Sequence, residues 1–169
     1  WPQVSIEAKP DSLSGPYSSW LRFRLVDPLE HNRFGPIADG AAVAIECTRD
    51  LGDAVRFLRP VERRGACFLE RAAWDRDYPE LHVFYVRVIQ EIEPRALAGQ
   101  TRILTCSSTI RLRDPATNRV VWVNPQTVSW IANRAMAGVF NERGGLHDRF
   151  RIMSPYSQPD APLLYGSAV

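Results

Sequence analysis

Lysine is almost missing from this chain: Lys9 is the only one, so arginine supplies nearly all of the 21 basic residues. Cysteine is scarce too. Cys47, Cys67 and Cys106 show no C-x-x-C spacing, and an odd, scattered set argues against a disulfide framework and against a zinc site. There is no G-x-G-x-x-G and no G-x-x-x-x-G-K, so neither Gly-rich phosphate cradle is present. No apolar run approaches the roughly 18 residues of a membrane span. The opening WPQVSIEAKPDS has neither a basic n-region nor an apolar h-region, so no signal peptide is expected. Together with the cysteine pattern this gives a cytoplasmic expectation. A net charge of +2 is too balanced to imply nucleic-acid binding, and no membrane partner is expected.

The 169 residues suit one domain with a sizeable core. No internal repeat stands out. Residues 1–16 are polar with three prolines and a glycine and read as an arm or a short edge strand. In YSSWLRFRLV (17–26), Leu21, Phe23 and Leu25 alternate with Arg22 and Arg24, the period of a strand. ADGAAVAIECTR (38–49) reads as a helix: Asp39 can cap it, Ala41, Ala44, Ile45 and Thr48 fall on one side, and Gly52 offers a stop. Residues 66–74 and 81–92 then read as strands, the second rich in β-branched and aromatic residues. Residues 101–113 and 120–131 read as a long antiparallel hairpin. Its turn, DPATNR, has Asn118 at a position that tolerates left-handed backbone. Asn133 to Phe140 reads as a short helix, GGLHDRF as a loop, and SPYSQPDAP as an extended wrap. One apolar helix against an antiparallel sheet makes an α+β two-layer domain, with 133–169 as an irregular C-terminal extension.

The chemistry concentrates between residues 25 and 52. FRLVDPLEHNRFGPIADG places Asp27, Glu30, His31 and Asp39 between a strand and the expected helix. It resembles the strand, acidic turn and helix start of the 4-hydroxybenzoyl-CoA thioesterase-like acyl-CoA thioesterases, with Asp27 at the catalytic acid and His31 four residues on. FLERAAWDRDYPELHVFYVRVIQEI, with Tyr78-Pro79 in its loop, and GQTRILTCSSTIRLRDPATNRVVWVNPQTVSWI resemble that family's later strands. The likeness spans roughly residues 17–132. It departs at Glu30, where the family has glycine, and in the Asn and Tyr that should follow the histidine.

The resemblance implies a hot-dog fold: a long central helix wrapped by a curved sheet of about five strands. It implies an acyl-thioester hydrolase acting on an acyl-CoA or acyl-carrier-protein, without a cofactor or metal, and built as a homodimer or homotetramer with its site between subunits. Asp27 would act as base or nucleophile. His31 would serve the leaving thiolate, and Glu46 would be a second acid. The backbone around Ile37, Asp39 and Gly40, at the helix start, would form the oxyanion site. Arg63 and Arg64 would grip phosphates, with Tyr78 in the substrate loop. Related dehydratase, isomerase or decarboxylase chemistry, or non-catalytic acyl binding, is the alternative. Plainer roles suit several residues: Asp27 as a turn starter, Asp39 as a cap, Ser107 and Ser108 as sheet residues, Trp20, Trp74, Trp122 and Trp130 as core. His82 and His147 lack metal-ligand spacing.

Overall fold

The computed structural model describes residues 5–7, 23–47, 55–63, 66–89, 101–129, 134–140, 148–152, 158, 160–167 and 169. Among them ten strands form: β1 (Ser5–Glu7), β2 (Phe23–Val26), β3 (Ala42–Cys47), β4 (Arg56–Arg63), β5 (Ala66–Ala72), β6 (Val83–Val88), β7 (Thr109–Arg113), β8 (Val120–Ser129), β9 (Arg134–Phe140) and β10 (Phe150–Arg151). All the pairings are antiparallel. Seven strands close a circuit, β3–β4–β5–β9–β8–β7–β6 and back to β3, with β1, β2 and β10 added at its edges.

The hot-dog expectation is therefore corrected. Among the described residues there is no α-helix, and so no central helix; Pro79–His82 is a short 3-10 turn. The segment read as a helix at 38–49 holds β3. Alanine favours helix weakly, but both edges of β3 are taken by neighbouring strands, and such pairing overrides propensity. β2 covers one edge over Ala44–Cys47. The other edge is shared, with β6 opposite Ala42–Ala44 and β4 opposite Glu46 and Cys47. The sheet thus divides at Ile45. Val43, Ala44 and Ile45 are all buried, so β3 has no solvent face, and a strand buried on both faces loses the alternation that would betray it.

Two further readings change. The segment 134–140 is β9, not a helix, and it pairs with β8 along most of its length. The expected hairpin of 101–113 with 120–131 survives only at Arg113–Val120, because β7 pairs chiefly with β6. Its turn does form, with Asn118 at φ 57. The N-terminal arm contributes β1 as an edge strand on β9.

An internal three-way repeat organises one end of the fold. Three arms, PIADGAAV (36–43), ILTCSSTI (103–110) and PLLYGSAV (162–169), hold one another in a ring. Ile37 N–H donates to Leu163 O (3.0 Å), Leu163 N–H to Leu104 O (2.8 Å), and Leu104 N–H to Ile37 O (2.8 Å). A second ring lies two residues outward: Asp39 to Arg102 (2.7 Å), Cys106 to Ala161 (3.0 Å) and Tyr165 to Gly35 (2.9 Å). Each arm then makes the same turn, closed by Ala41 to Ala38, Ser108 to Thr105 and Ser167 to Leu164. Ile37, Leu104 and Leu163 are wholly buried at the centre. Each arm also docks on a strand with phenylalanine at its first or second position: Val43 opposite Phe84, Ile110 opposite Phe150, and Val169 bonded to Phe23. The repeat unit is thus a Phe-x-apolar strand, a spacer and an arm. The spacers differ in length, so no fixed period marks the repeat in the sequence.

Candidate functional site

Asp27 closes β2 and is buried. Its Oδ1 accepts the N–H groups of Leu29 (2.8 Å) and Glu30 (3.3 Å), and its Oδ2 accepts Arg33 Nη1 at 2.8 Å. This is an Asx-type turn that Pro28 helps set. Burial alone would raise the Asp27 pKa, but the Leu29 N–H, the Arg33 guanidinium and the Glu30 N–H outweigh it and hold the carboxyl below its usual range. The Arg33 guanidinium also lies 5.6 Å from the centre of the Tyr165 ring. The Tyr165 hydroxyl donates to Ala42 O at 3.3 Å, and its pKa is raised, first by burial and then by the nearby Asp27 charge.

Beyond this turn His31 enters an aromatic cluster. Its ring meets Trp74 edge-on at 4.2 Å and Phe57 at 5.1 Å. Trp74 in turn stacks on His82 at 5.0 Å, and Phe57 packs edge-on to Trp74 at 4.9 Å. The cluster sits where β3 divides between β4 and β6: Phe57 is on β4, while Trp74 and His82 flank the β5–β6 loop. His82 is wholly buried, and its Nε2 accepts the Asp75 N–H at 3.2 Å. An accepting Nε2 assigns the proton of the neutral ring to Nδ1. Burial pushes the His82 pKa down, against the pull of the Leu58 backbone. Asp75 folds the same loop, its Oδ1 accepting the N–H groups of Asp77 and Tyr78 at 3.0 Å each.

The structure thus brings Asp27 and His31 onto one loop, with Tyr78 on the loop that Trp74 joins to it. The other expected residues go elsewhere. Glu46 lies on β3 and pairs with Arg24 (3.4 Å), whose Nε donates to Gly166 O. Ile37, Asp39 and Gly40 do not start a helix. Their N–H groups donate to Leu163, Arg102 and Val86, so the free donors of an oxyanion site are absent there. Asp39 Oδ1 accepts the Val88 N–H at 2.8 Å, which makes it a brace between the first arm and β6. The Arg63 side chain, Arg64 and His147 lie outside the described residues. Among the described residues no three His, Cys, Asp or Glu side chains gather as a metal set. No helix among them is long and apolar enough to cross a membrane.

Sequence reasoning passed over Phe57 and Tyr165 and weighed His82 only as a metal ligand. Only His82 left a signal, as a histidine beside the Tyr78-Pro79 turn. No family model matches the chain, and no curated protein matches it by sequence.

The two loops share one further property. Held from within by Asp27, His31, Trp74 and Asp75, they expose large apolar side chains: Leu29 is 96% exposed, Phe34 83% and Tyr78 60%. These apolar side chains thus stand in solvent on loops that are braced from beneath.

Proposed function

We propose that this chain is a non-catalytic binding domain whose β2–β3 and β5–β6 loops present a braced face to an apolar surface on a protein partner. One observation carries the reading. The acids expected to do chemistry, Asp27 and Glu46, are spent on structure, Asp27 on the Leu29 and Glu30 N–H groups and on Arg33, Glu46 on Arg24, while Leu29 and Phe34 are left outside. A carboxylate with three donors and a depressed pKa is a weak base and a poor nucleophile. Thioester hydrolysis has lost the helix start that was to polarise the carbonyl. It now rests on Asp27 and His31 alone.

The experiment is direct. Purified protein is incubated with short, long and aromatic acyl-CoAs while free thiol is followed. No release is expected, and Asp27→Asn should alter stability alone. Thiol release that disappears in a folded Asp27→Asn variant would return the hydrolase reading. A photo-crosslinker at position 34 should capture a protein partner, and Leu29→Ser should abolish that capture without lowering Tm.

A further inference from the structure

The charges of this molecule are segregated, and a net charge of +2 averages the separation away. Glu30, Asp75, Asp77 and Glu80 lie on the β2–β3 and β5–β6 loops. The neighbouring strands β6, β7 and β10 carry no acid and four arginines: Arg87, Arg111, Arg113 and Arg151.

Register puts the four on one face. Phe84, Val86, Ile110 and Leu112 are buried, so the residues that alternate with them along β6 and β7 point outward. Arg87 stands directly opposite Arg111, and Tyr85 opposite Arg113. Arg151 stands opposite Thr109, diagonal to Arg111. The Cβ atoms of opposed residues are about 5 Å apart and those of diagonal ones about 7 Å. Arg151, Arg111 and Arg87 therefore form a row across three strands, with Arg113 beside it. Like charges so opposed destabilise a sheet. Among the described residues two carboxylates reach the row. Asp148 Oδ2 lies 2.8 Å from Arg111 Nε, and Asp39 Oδ1, which already accepts the Val88 N–H, lies 3.6 Å from Arg87 Nε. Arg113 Nη1 donates to the carbonyl and amide oxygens of Asn118 and meets no carboxylate. Arg151 is exposed and unpaired.

Four guanidiniums against two carboxylates leave this face an excess of positive charge. One aromatic ring stands among them. Tyr85 is 44% exposed, between Arg113 on β7 and Ala42 on β3, and alanine is too short to cover the ring. These features select the occupant. A row of guanidiniums matches a row of anions, as along a phosphodiester chain, whereas a lone phosphate engages one fork or two. The exposed ring beside the row offers a base a stacking surface, which an acidic protein segment would leave unused. Duplex DNA admits a helix or a two-stranded ribbon into its groove, and this face is the broad side of three paired strands.

We infer that the outer face of β6, β7 and β10 binds single-stranded nucleic acid, with phosphates along Arg151, Arg111, Arg87 and Arg113 and a base stacked on Tyr85. This face is separate from the loop face proposed above, and either can fail without the other.

A fluorescently labelled oligothymidylate of about 10 nucleotides is titrated into the full chain by anisotropy, from about 50 to 200 mM salt. Saturable binding is expected. Log affinity should fall against log salt with a slope of about −2 to −3, since each neutralised single-strand phosphate contributes about 0.7. Arg87→Ala and Arg151→Ala should each remove about 0.7 from that slope, and reversing both charges to glutamate should weaken binding about tenfold or more. Tyr85→Ser should weaken binding about fivefold or more with the slope unchanged, and Tyr85→Trp should restore it. Arg56→Ala, which removes an exposed arginine of β4, should leave affinity and slope as they are. Arg111 is kept, because its loss would strand the buried Asp148. Melting curves establish that each variant is folded. No saturable binding, an equal loss in Arg56→Ala, a folded Tyr85→Ser variant that binds as tightly as wild type, or polyglutamate competing as well as the oligonucleotide would each overturn the site.

Discussion

His31 meets Trp74 at right angles, with ring centroids 4.2 Å apart, and this contact joins two loops that are distant in sequence. Edge-to-face pairs are worth about 0.5–1.5 kcal/mol beyond area burial. A double-mutant cycle of His31→Ala and Trp74→Ala should therefore show coupling of about 1 kcal/mol. It should also raise amide exchange across residues 28–34. Additive losses would mean that the loops are held separately.

Asp27 should act on stability through pH with the sign of a depressed carboxylate. Its folded pKa lies below the unfolded value of about 3.9, so its contribution is complete above that pH. As pH falls through the folded pKa the contribution is lost. Thermal melts from pH 6 to pH 2 should show wild type losing stability relative to Asp27→Asn only below about pH 4. Asp27→Ala should cost about 1–3 kcal/mol at neutral pH, because the Leu29 and Glu30 N–H groups lose their acceptor.

His82 predicts a second, higher window. Burial lowers its folded pKa, so the unfolded chain takes up a proton first as pH falls. Stability is full above about pH 6.5 and declines as pH drops from there toward the folded value. His82→Gln keeps a side-chain acceptor for Asp75 N–H and removes the titration. Its melting temperature should be lower than wild type at pH 8 and should lack the wild-type decline between pH 7 and 5. An unchanged decline would assign it to another group.

The sequence made its strongest local signals legible. Val83–Val88 alternates and is a strand, Phe23–Val26 likewise, and the Asn118 turn takes the left-handed backbone expected of it. It concealed β3, because Val43-Ala44-Ile45 is buried on both faces and alternation vanishes there. It also concealed the three-way ring. Arms of eight residues, each broken by a turn, are too short to set a period of their own, and only Phe23, Phe84 and Phe150 with the three turns mark the equivalence. The resemblance to thioesterases leaned on Asp27-Pro28 and His31, and both residues have a turn-forming and packing use that looks the same in one dimension. Asp27 and His31 are close in space as they are in sequence. Phe57 and His82 could join them only once β3 was known to divide.

The arms predict a glycine test with an internal control. Gly40 and Gly166 occupy the same turn position with φ of 84 and 81, a backbone that other residues adopt at a cost. The second arm has Ser107 there, outside the left-handed region. Gly40→Ala and Gly166→Ala should each destabilise by about 1–2 kcal/mol. Gly166→Ala should cost more, since its added Cβ would sit 3.3 Å from Arg24 Nη2, against 3.6 Å from Arg87 Nη1 at Gly40. The Arg24 guanidinium is also tied to Glu46 and to Gly166 O, so it yields less freely. Ser107→Ala should leave backbone strain unchanged, because serine and alanine share the same allowed backbone regions. Urea melts of the three variants decide it: equal losses at all three positions would mean that the turns do not share one backbone requirement.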